Sequence, residues 1–304
     1  MNAPLRLFDR ALLRARRRRA AAIGAEDFLL DRAADDLAER LQTVTRRFAL
    51  ALDVGTPGEA LRRALASGGQ VGRIIACEPL AYLRDPTAGP RVAADEEALP
   101  FADETFDLVV SALALHWTND LPGTLAQIHR ALKPDGLFLA VLAGGETLTE
   151  LRQALAEAEV EVEGGVSPRV APFVEVRALG ALLQRAGFAL PVTDLDRVTV
   201  RYSDLGGLFR DLRGMGATNA LAERRRRPLR RATLARAAEI YAERFADAGG
   251  RLRATFDLLS ISAWAPHASQ QRPMRPGSAN VRLADALGTR EKSAGEKAGQ
   301  GGGS

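Results

Sequence analysis

Four groups of polar residues in this chain directly follow short apolar runs, and each could do chemistry. The first is Asp53-Val-Gly55-Thr-Pro-Gly58-Glu59, an acid and two glycines closing the run from Phe48. In a tight strand-to-helix turn such a segment lets backbone N–H groups approach a ligand closely; the same composition also makes an ordinary turn. Glu78 closes a second run, 25 residues after Asp53. A carboxylate there can accept hydrogen bonds from both ribose hydroxyls of a bound nucleoside, or serve as a charge at a helix N-terminus. Asp95 and Glu96 end a third run, where a carboxylate can accept from an adenine amino group. The fourth group is Ser111-Ala-Leu-Ala-Leu-His116-Trp117-Thr-Asn119-Asp120. In it His116 offers a general base and Trp117 a pocket floor, although residue type alone leans toward a hydrogen-bonded histidine and a core tryptophan. Three acids at three successive strand ends suit a neutral or cationic nucleoside better than a pyrophosphate, which prefers a helix N-terminus free of acids. Cys77 lies inside an apolar run and is expected to be inert.

The elements that must carry these residues alternate. Strand-like runs are predicted at 48–54, 73–78, 91–95, 106–113 and 137–142, with helices at 58–67 and 121–132 between them. Near-continuous apolar strands separated by helices predict an α/β fold with a parallel sheet covered on both faces. Helices at 147–163 and 176–186 and a strand near 192–202 follow. Helical stretches at 204–213 and 229–247 then precede a last strand over 251–264, expected as an antiparallel edge. In open sheets of this kind the ligand sits beyond the carboxyl ends of the strands, at the topological switch point.

Composition narrows the function classes. A chain of 304 residues that is 46% hydrophobic can bury a real core, so wholesale disorder is excluded. One cysteine excludes a disulfide-stapled scaffold, and with only three histidines a structural zinc site is not expected. No run of about 18 apolar residues predicts a membrane-spanning helix. The net charge of +4 is unevenly placed: residues 1–20 carry +6, residues 223–236 carry +6, and the rest carries −8. Such stretches are either docking patches for an acidic partner, a membrane surface or nucleic acid, or simply solvated helix faces. The excess of 39 arginines over 3 lysines reads as genome composition rather than a nucleic-acid surface. Residues 1–20 read as an amphipathic helix, through Phe8, Leu12 and Leu13. Residues 269–304, rich in Gln, Pro, Gly, Ser, Lys and Glu, read as a disordered tail.

On Asp53-x-Gly55, Glu78, Asp95, the segment Leu99-Pro-Phe-Ala-Asp-Glu-Thr-Phe-Asp-Leu-Val-Val-Ser-Ala-Leu113 and the segment Leu132-Lys-Pro-Asp-Gly-Leu-Phe138, the chain resembles the class I S-adenosylmethionine-dependent methyltransferases over about residues 40–145. A narrower match runs through Phe8–Arg14, Asp27–Ala33, Ala114–Gly123 and Asp211–Leu221. These segments look like the subfamily of mitochondrial complex I assembly factors with a methyltransferase fold and their alphaproteobacterial relatives. More distantly, the chain is similar to the malonyl-carrier-protein methyltransferases of biotin synthesis. The resemblance implies a seven-stranded Rossmann-like sheet with an antiparallel last strand, a helical N-terminal extension over 1–40, a domain over 41–268 and a helical insertion before the last strand. It implies S-adenosyl-L-methionine as cofactor, held by Asp53, Gly55, Gly58, Glu78, Asp95, Glu96 and Ser111, with His116 and Trp117 beside the substrate. It implies methyl transfer to a protein or carrier-bound substrate or, as in the assembly factor, hydroxylation of an arginine of a complex I iron–sulfur subunit; a cofactor-binding chaperone is the third reading. The chain departs from the family at Pro57 and Glu59, where glycines are usual; the first removes a backbone N–H and the second adds charge. A cytoplasmic bacterial protein, peripheral at the inner membrane through its basic stretches and without nucleic acid as a partner, is expected. Both basic stretches are expected to lie outside the cofactor core, so that deleting residues 1–20 leaves cofactor binding intact.

Overall fold

The computed structural model describes residues 6–80, 89–270, 285, 288 and 289. Met1–His267 forms one compact unit and Ala268–Ser304 a second. The tail expected from 269 lies, beyond 270 and apart from residues 285, 288 and 289, outside the described residues.

Seven strands form one sheet: β1 (Phe48–Val54), β2 (Val71–Cys77), β3 (Arg91–Val92), β4 (Phe106–Ala112), β5 (Leu132–Gly144), β6 (Ala189–Tyr202) and β7 (Leu252–Trp264). Their order is β3-β2-β1-β4-β5-β7-β6. The first five run parallel, and β7 is antiparallel to both β5 and β6. The chain moves outward from β1 to β2 and β3, then returns to place β4 on the other side of β1. That reversal is the switch point, and the carboxyl ends of β1 and β4 open a crevice there.

The central strands read as continuous apolar runs because both faces are covered. In β5, Leu137, Leu139 and Val141 pack on one face with α2 (Phe28–Gln42) and α3 (Ala60–Ser67). Phe138, Ala140 and Leu142 pack on the other with α4 (Leu121–Ala131) and α6 (Val176–Arg185). A third apolar cluster joins α5 (Thr149–Glu163), α7 (Leu205–Gly214) and α8 (Arg231–Phe245) to the end of β7. The helices α7 and α8 are the insertion between β6 and β7.

Two element boundaries differ from expectation. The third strand is only two residues long. The fifth begins at Leu132, directly after α4, not at 137: Leu132 pairs with Phe106 and Leu137 with Leu108, so Lys133-Pro-Asp-Gly136 is a bulge inside the strand. Asp135 adopts φ 63° there, a left-handed conformation that an Asp tolerates.

The first helix, α1 (Arg10–Ile23), is capped by Asp9, whose side chain accepts from the Leu12 N–H. Its apolar residues Leu13 and Ala20 are buried. The helix packs on α7 across the carboxyl end of the sheet, where Gly216, with φ 67°, lets the backbones meet: a Cβ on it would stand 2.9 Å from Arg17 Cα.

Candidate functional site

The turn after β1 is built as its sequence suggests. Gly55 has φ 72°, and a Cβ on it would come within 2.6 Å of the Glu96 side chain, so only glycine fits. Asp53 is fully buried and paired with Arg62 of α3. Burial raises its pKa to about 6, although Arg62 and Thr56 pull the other way. Its Oδ1 has no hydrogen-bond partner. Glu59, the extra charge in this turn, is held by Arg62 and Arg91, which keep its carboxyl below the usual range against the effect of burial.

A cavity of about 430 Å³ opens over these strand ends. Pro57, Gly58, Glu78, Glu96, His116 and Trp117 line it from the sheet side. Glu78 also stands 3.7 Å from Arg91. Of the residues expected to hold a cofactor, Gly58, Glu78 and Glu96 therefore face the cavity. Asp53 and Gly55 stand behind that wall, with Glu96 packed across Gly55. Ser111 is a correction: its hydroxyl donates to the Val54 carbonyl at 2.7 Å, within the sheet, so it ties β4 to β1 and does not line the cavity.

His116 is a second correction. Its Nδ1 accepts a hydrogen bond from the Ala143 N–H at 3.3 Å, which places the proton of the neutral ring on Nε2. It is half-buried in the cavity wall, and loss of solvent there, with Arg17 nearby, depresses its pKa to about 3. At neutral pH it is a neutral hydrogen-bond donor, the hydrogen-bonded histidine toward which residue type leaned, and not a general base. Trp117 is both things the sequence allowed, buried in a small apolar cluster and lining the cavity. Phe8 meets its ring edge-on at 5.2 Å.

The third correction concerns the N-terminal stretch, which roofs this site. Arg10, Arg14 and Arg17 fall at i, i+4 and i+7 of α1, on one face, and all three line the cavity. Arg10 pairs with Asp95 at 2.8 Å and with Glu96; Arg14 pairs with Asp95; Arg17 stands 3.5 Å from Glu96. Burial works against the Asp95 carboxylate, yet the Glu97 N–H and the two arginines hold its pKa below the ordinary value. Arg10 also donates to the Trp117 carbonyl at 2.9 Å. Asn119 grips the backbone of Phe8 in both directions, accepting from its N–H at 2.7 Å and donating to its carbonyl. Phe8 bridges to Leu221, and the Asp9 N–H donates to the Ala220 carbonyl. The segments around residues 8–14, 114–123 and 211–221, distant in the chain, thus meet at one place. Sequence reasoning counted the arginines as charge and assigned no role to Asn119. The spacing of Arg10, Arg14 and Arg17 was the signal that they share a face.

These residues fit a nucleoside cofactor. Pro57 and Gly58 of the glycine turn form the floor with the cavity-facing Glu78 and Glu96, Asp53 braces that turn from behind through Arg62, and Asp95, outside the lining, is paired with Arg10 and Arg14.

Comparison with known proteins agrees. A family profile described as a methyltransferase domain matches residues 52–140. The chain is 41% identical over 288 residues to the mitochondrial arginine-hydroxylase NDUFAF5 of Danio rerio, covering 92% of this chain and 89% of that one. The Homo sapiens protein of the same name is 41% identical over 287 residues, covering 91% and 82%. A malonyl-[acyl-carrier protein] O-methyltransferase of Laribacter hongkongensis is 35% identical over 286 residues, covering 88% and 94%. Among solved structures, a candidate methyltransferase from Bacillus halodurans aligns with TM-score 0.53 at 18% identity, covering 76% of this chain and 99% of that one. The YcgJ protein of Bacillus subtilis aligns with TM-score 0.51 at 16% identity, covering 76% and 98%. Both likenesses concern the fold alone.

Proposed function

The chain belongs to the class I S-adenosylmethionine-dependent methyltransferase family, in the branch that holds the NDUFAF5 arginine hydroxylases, and on that footing we propose that it modifies a protein or carrier-bound substrate by methyl transfer in the cavity beneath α1. The observation that carries this reading is the convergence, on one cavity, of the Gly55 turn, Glu78 and Glu96 with His116 and Trp117. S-adenosylmethionine, when bound, supplies an electrophilic methyl on a sulfonium, and the family's chemistry then rests mainly on proximity and orientation. The chain's own residues supply those. Glu78 orients a ribose, Trp117 and Phe173 wall the substrate side, and His116 donates its Nε2 proton to a substrate oxygen or carbonyl. The neutral His116 suits this work, since a cation there would repel a sulfonium.

A second reading is arginine hydroxylation, favoured by 41% identity across 92% of the chain to proteins of that name. The partner for both readings is a protein, with an iron–sulfur subunit of respiratory complex I as the first candidate. A cytoplasmic location with a peripheral hold on the inner membrane belongs to the same proposal. Among the described residues no helix is long and apolar enough to cross a membrane.

Mass spectrometry of the candidate partner after aerobic incubation with the protein, S-adenosylmethionine and a two-electron reductant, so that dioxygen can supply one oxygen to the arginine and leave as water with the other, separates the readings. A gain of one methylene indicates methylation and a gain of one oxygen indicates hydroxylation. No gain, with the two proteins still bound to each other, sinks both and leaves a chaperone. Independently, Glu78→Ala is expected to weaken S-adenosylmethionine binding by about 1–3 kcal/mol in calorimetric titration; unchanged affinity removes Glu78 from the ribose.

A further inference from the structure

A second pocket, of about 490 Å³, lies beside the first and shares Arg169, Asn219 and Leu229 with its wall. Its lining is unusual in charge. Six arginines face it: Arg16 of α1, Arg169, and Arg224, Arg225, Arg226 and Arg227 of the segment before α8. Three of them are already matched by carboxylates. Arg169 pairs with Glu159, Arg225 with Glu163, and Arg224 with Asp9 at 3.2 Å. Among the described residues no carboxylate forms an ion pair with Arg16, Arg226 or Arg227. Arg226 and Arg227 are exposed, so water serves them. Arg16 is different. Its Nη1 is buried and donates to nothing. A guanidinium nitrogen without an acceptor is costly; Arg10 and Arg14 also carry one each, but both are paired with carboxylates, as Arg16 is not. Burial, then the neighbouring Arg224 and Arg19, destabilise its charge, with Asp9 only partly compensating.

We propose that this pocket is a binding site for a phosphate oxyanion. A single carboxylate carries one charge and two acceptor atoms, and would leave two of the three unmatched positive charges uncompensated. A phosphate group carries nearly two charges and three or four acceptor oxygens, and the planar forks of Arg16, Arg226 and Arg227 suit it from several sides. Arg16 supplies the fixed, recessed contact, and Arg226 and Arg227 close over the anion from the surface. Because Arg16 stands on the same helix as Arg10, Arg14 and Arg17, a bound phosphate also fastens α1 over the neighbouring cavity. The assignment concerns binding alone and stands whichever group is transferred there.

The test is equilibrium dialysis of the full chain against radiolabelled inorganic phosphate, with ionic strength held constant by sodium chloride. Expected is saturable binding near one phosphate per chain. Arg16→Gln and Arg227→Gln should each weaken it about tenfold or more, while Arg236→Gln, which removes an arginine outside the pocket, leaves it unchanged. Arg227 is exposed, so its variant reports even where Arg16→Gln fails to fold. A parallel arm uses vesicles containing phosphatidic acid, whose phosphomonoester headgroup keeps three free oxygens. Vesicle binding that free phosphate displaces and Arg227→Gln abolishes identifies a lipid headgroup as the source of the phosphate; phosphate binding without vesicle binding identifies a soluble one. Uptake that never saturates, or that Arg227→Gln leaves intact, overturns the proposal.

Discussion

Two stretches of this chain carry the same formal charge, +6 each, and the fold treats them differently. In residues 1–20, Arg10, Arg14 and Arg17 turn inward from α1 onto Asp95 and Glu96. In residues 223–236 some arginines pair with Glu161, Glu163 and Asp9, and Arg226 and Arg227 stay exposed. The difference lies in the partners and in the solvent. Glu96 is about 1% exposed, and a buried carboxylate requires a cation beside it. The pair Arg236–Glu161 is solvated and screened, so it contributes little. A charge count alone does not separate a structural ion pair from a docking patch; the burial of the opposite charge does.

Several measurements would sharpen or break this contrast. The largest effect is expected from Arg10→Met, which leaves Glu96 buried with only Arg17 at 3.5 Å. Denaturant unfolding should show a loss of about 3 kcal/mol, largely restored by adding Glu96→Gln. A loss below about 0.5 kcal/mol would make the first stretch no different from the second. Next, Gly216→Ala forces a side chain into a left-handed conformation against Arg17. It should cost about 2 kcal/mol and raise exchange of the α1 amides; protection equal to the parent's would show that α1 is not seated there.

The third concerns pH. His116 has a folded pKa of about 3, below its unfolded value of 6.5. The unfolded chain therefore takes up a proton that the folded chain refuses, and stability falls as pH drops below 6.5 toward 3, by about 1.4 kcal/mol per unit. Asp53 acts oppositely: its folded pKa of about 6 lies above the ordinary aspartate value of 3.8, so its contribution falls as pH rises through that window. The parent should thus lose little between pH 6 and 4, and more once Asp53→Asn removes the opposing group. His116→Asn should lose less than the parent between pH 7 and 6, where the His116 effect outweighs the opposing one of Asp53. Smallest of all, Arg227→Gln should leave unfolding free energy within about 0.5 kcal/mol of the parent, and a larger change would place that arginine in the fold.

Much of the fold was legible. The central strands announce themselves because apolar residues fill both faces, and Leu137–Leu142 admits little else. The boundary at Leu132 was not legible, because Lys133-Pro-Asp-Gly136 has the composition of a turn and only pairing with β4 makes it a bulge. At the site, Gly55 and Glu78 are where their spacing put them. Ser111 could not be told from a ligand contact, because the direction of a side chain on a strand depends on register. His116 could not be told from a base, because it lies in a turn after β4 and the Ala143 N–H that occupies its Nδ1 comes from β5, 27 residues away.

By itself, then, the sequence determined the alternation of elements, the acids at three strand ends and the glycine turn, since these follow from local periodicity and backbone sterics. The tertiary structure alone decided what the charges do. Whether an arginine on α1 meets solvent, a partner or Glu96 depends on contacts more than 80 residues apart in the chain, and on how far burial has removed water from the opposing carboxylate.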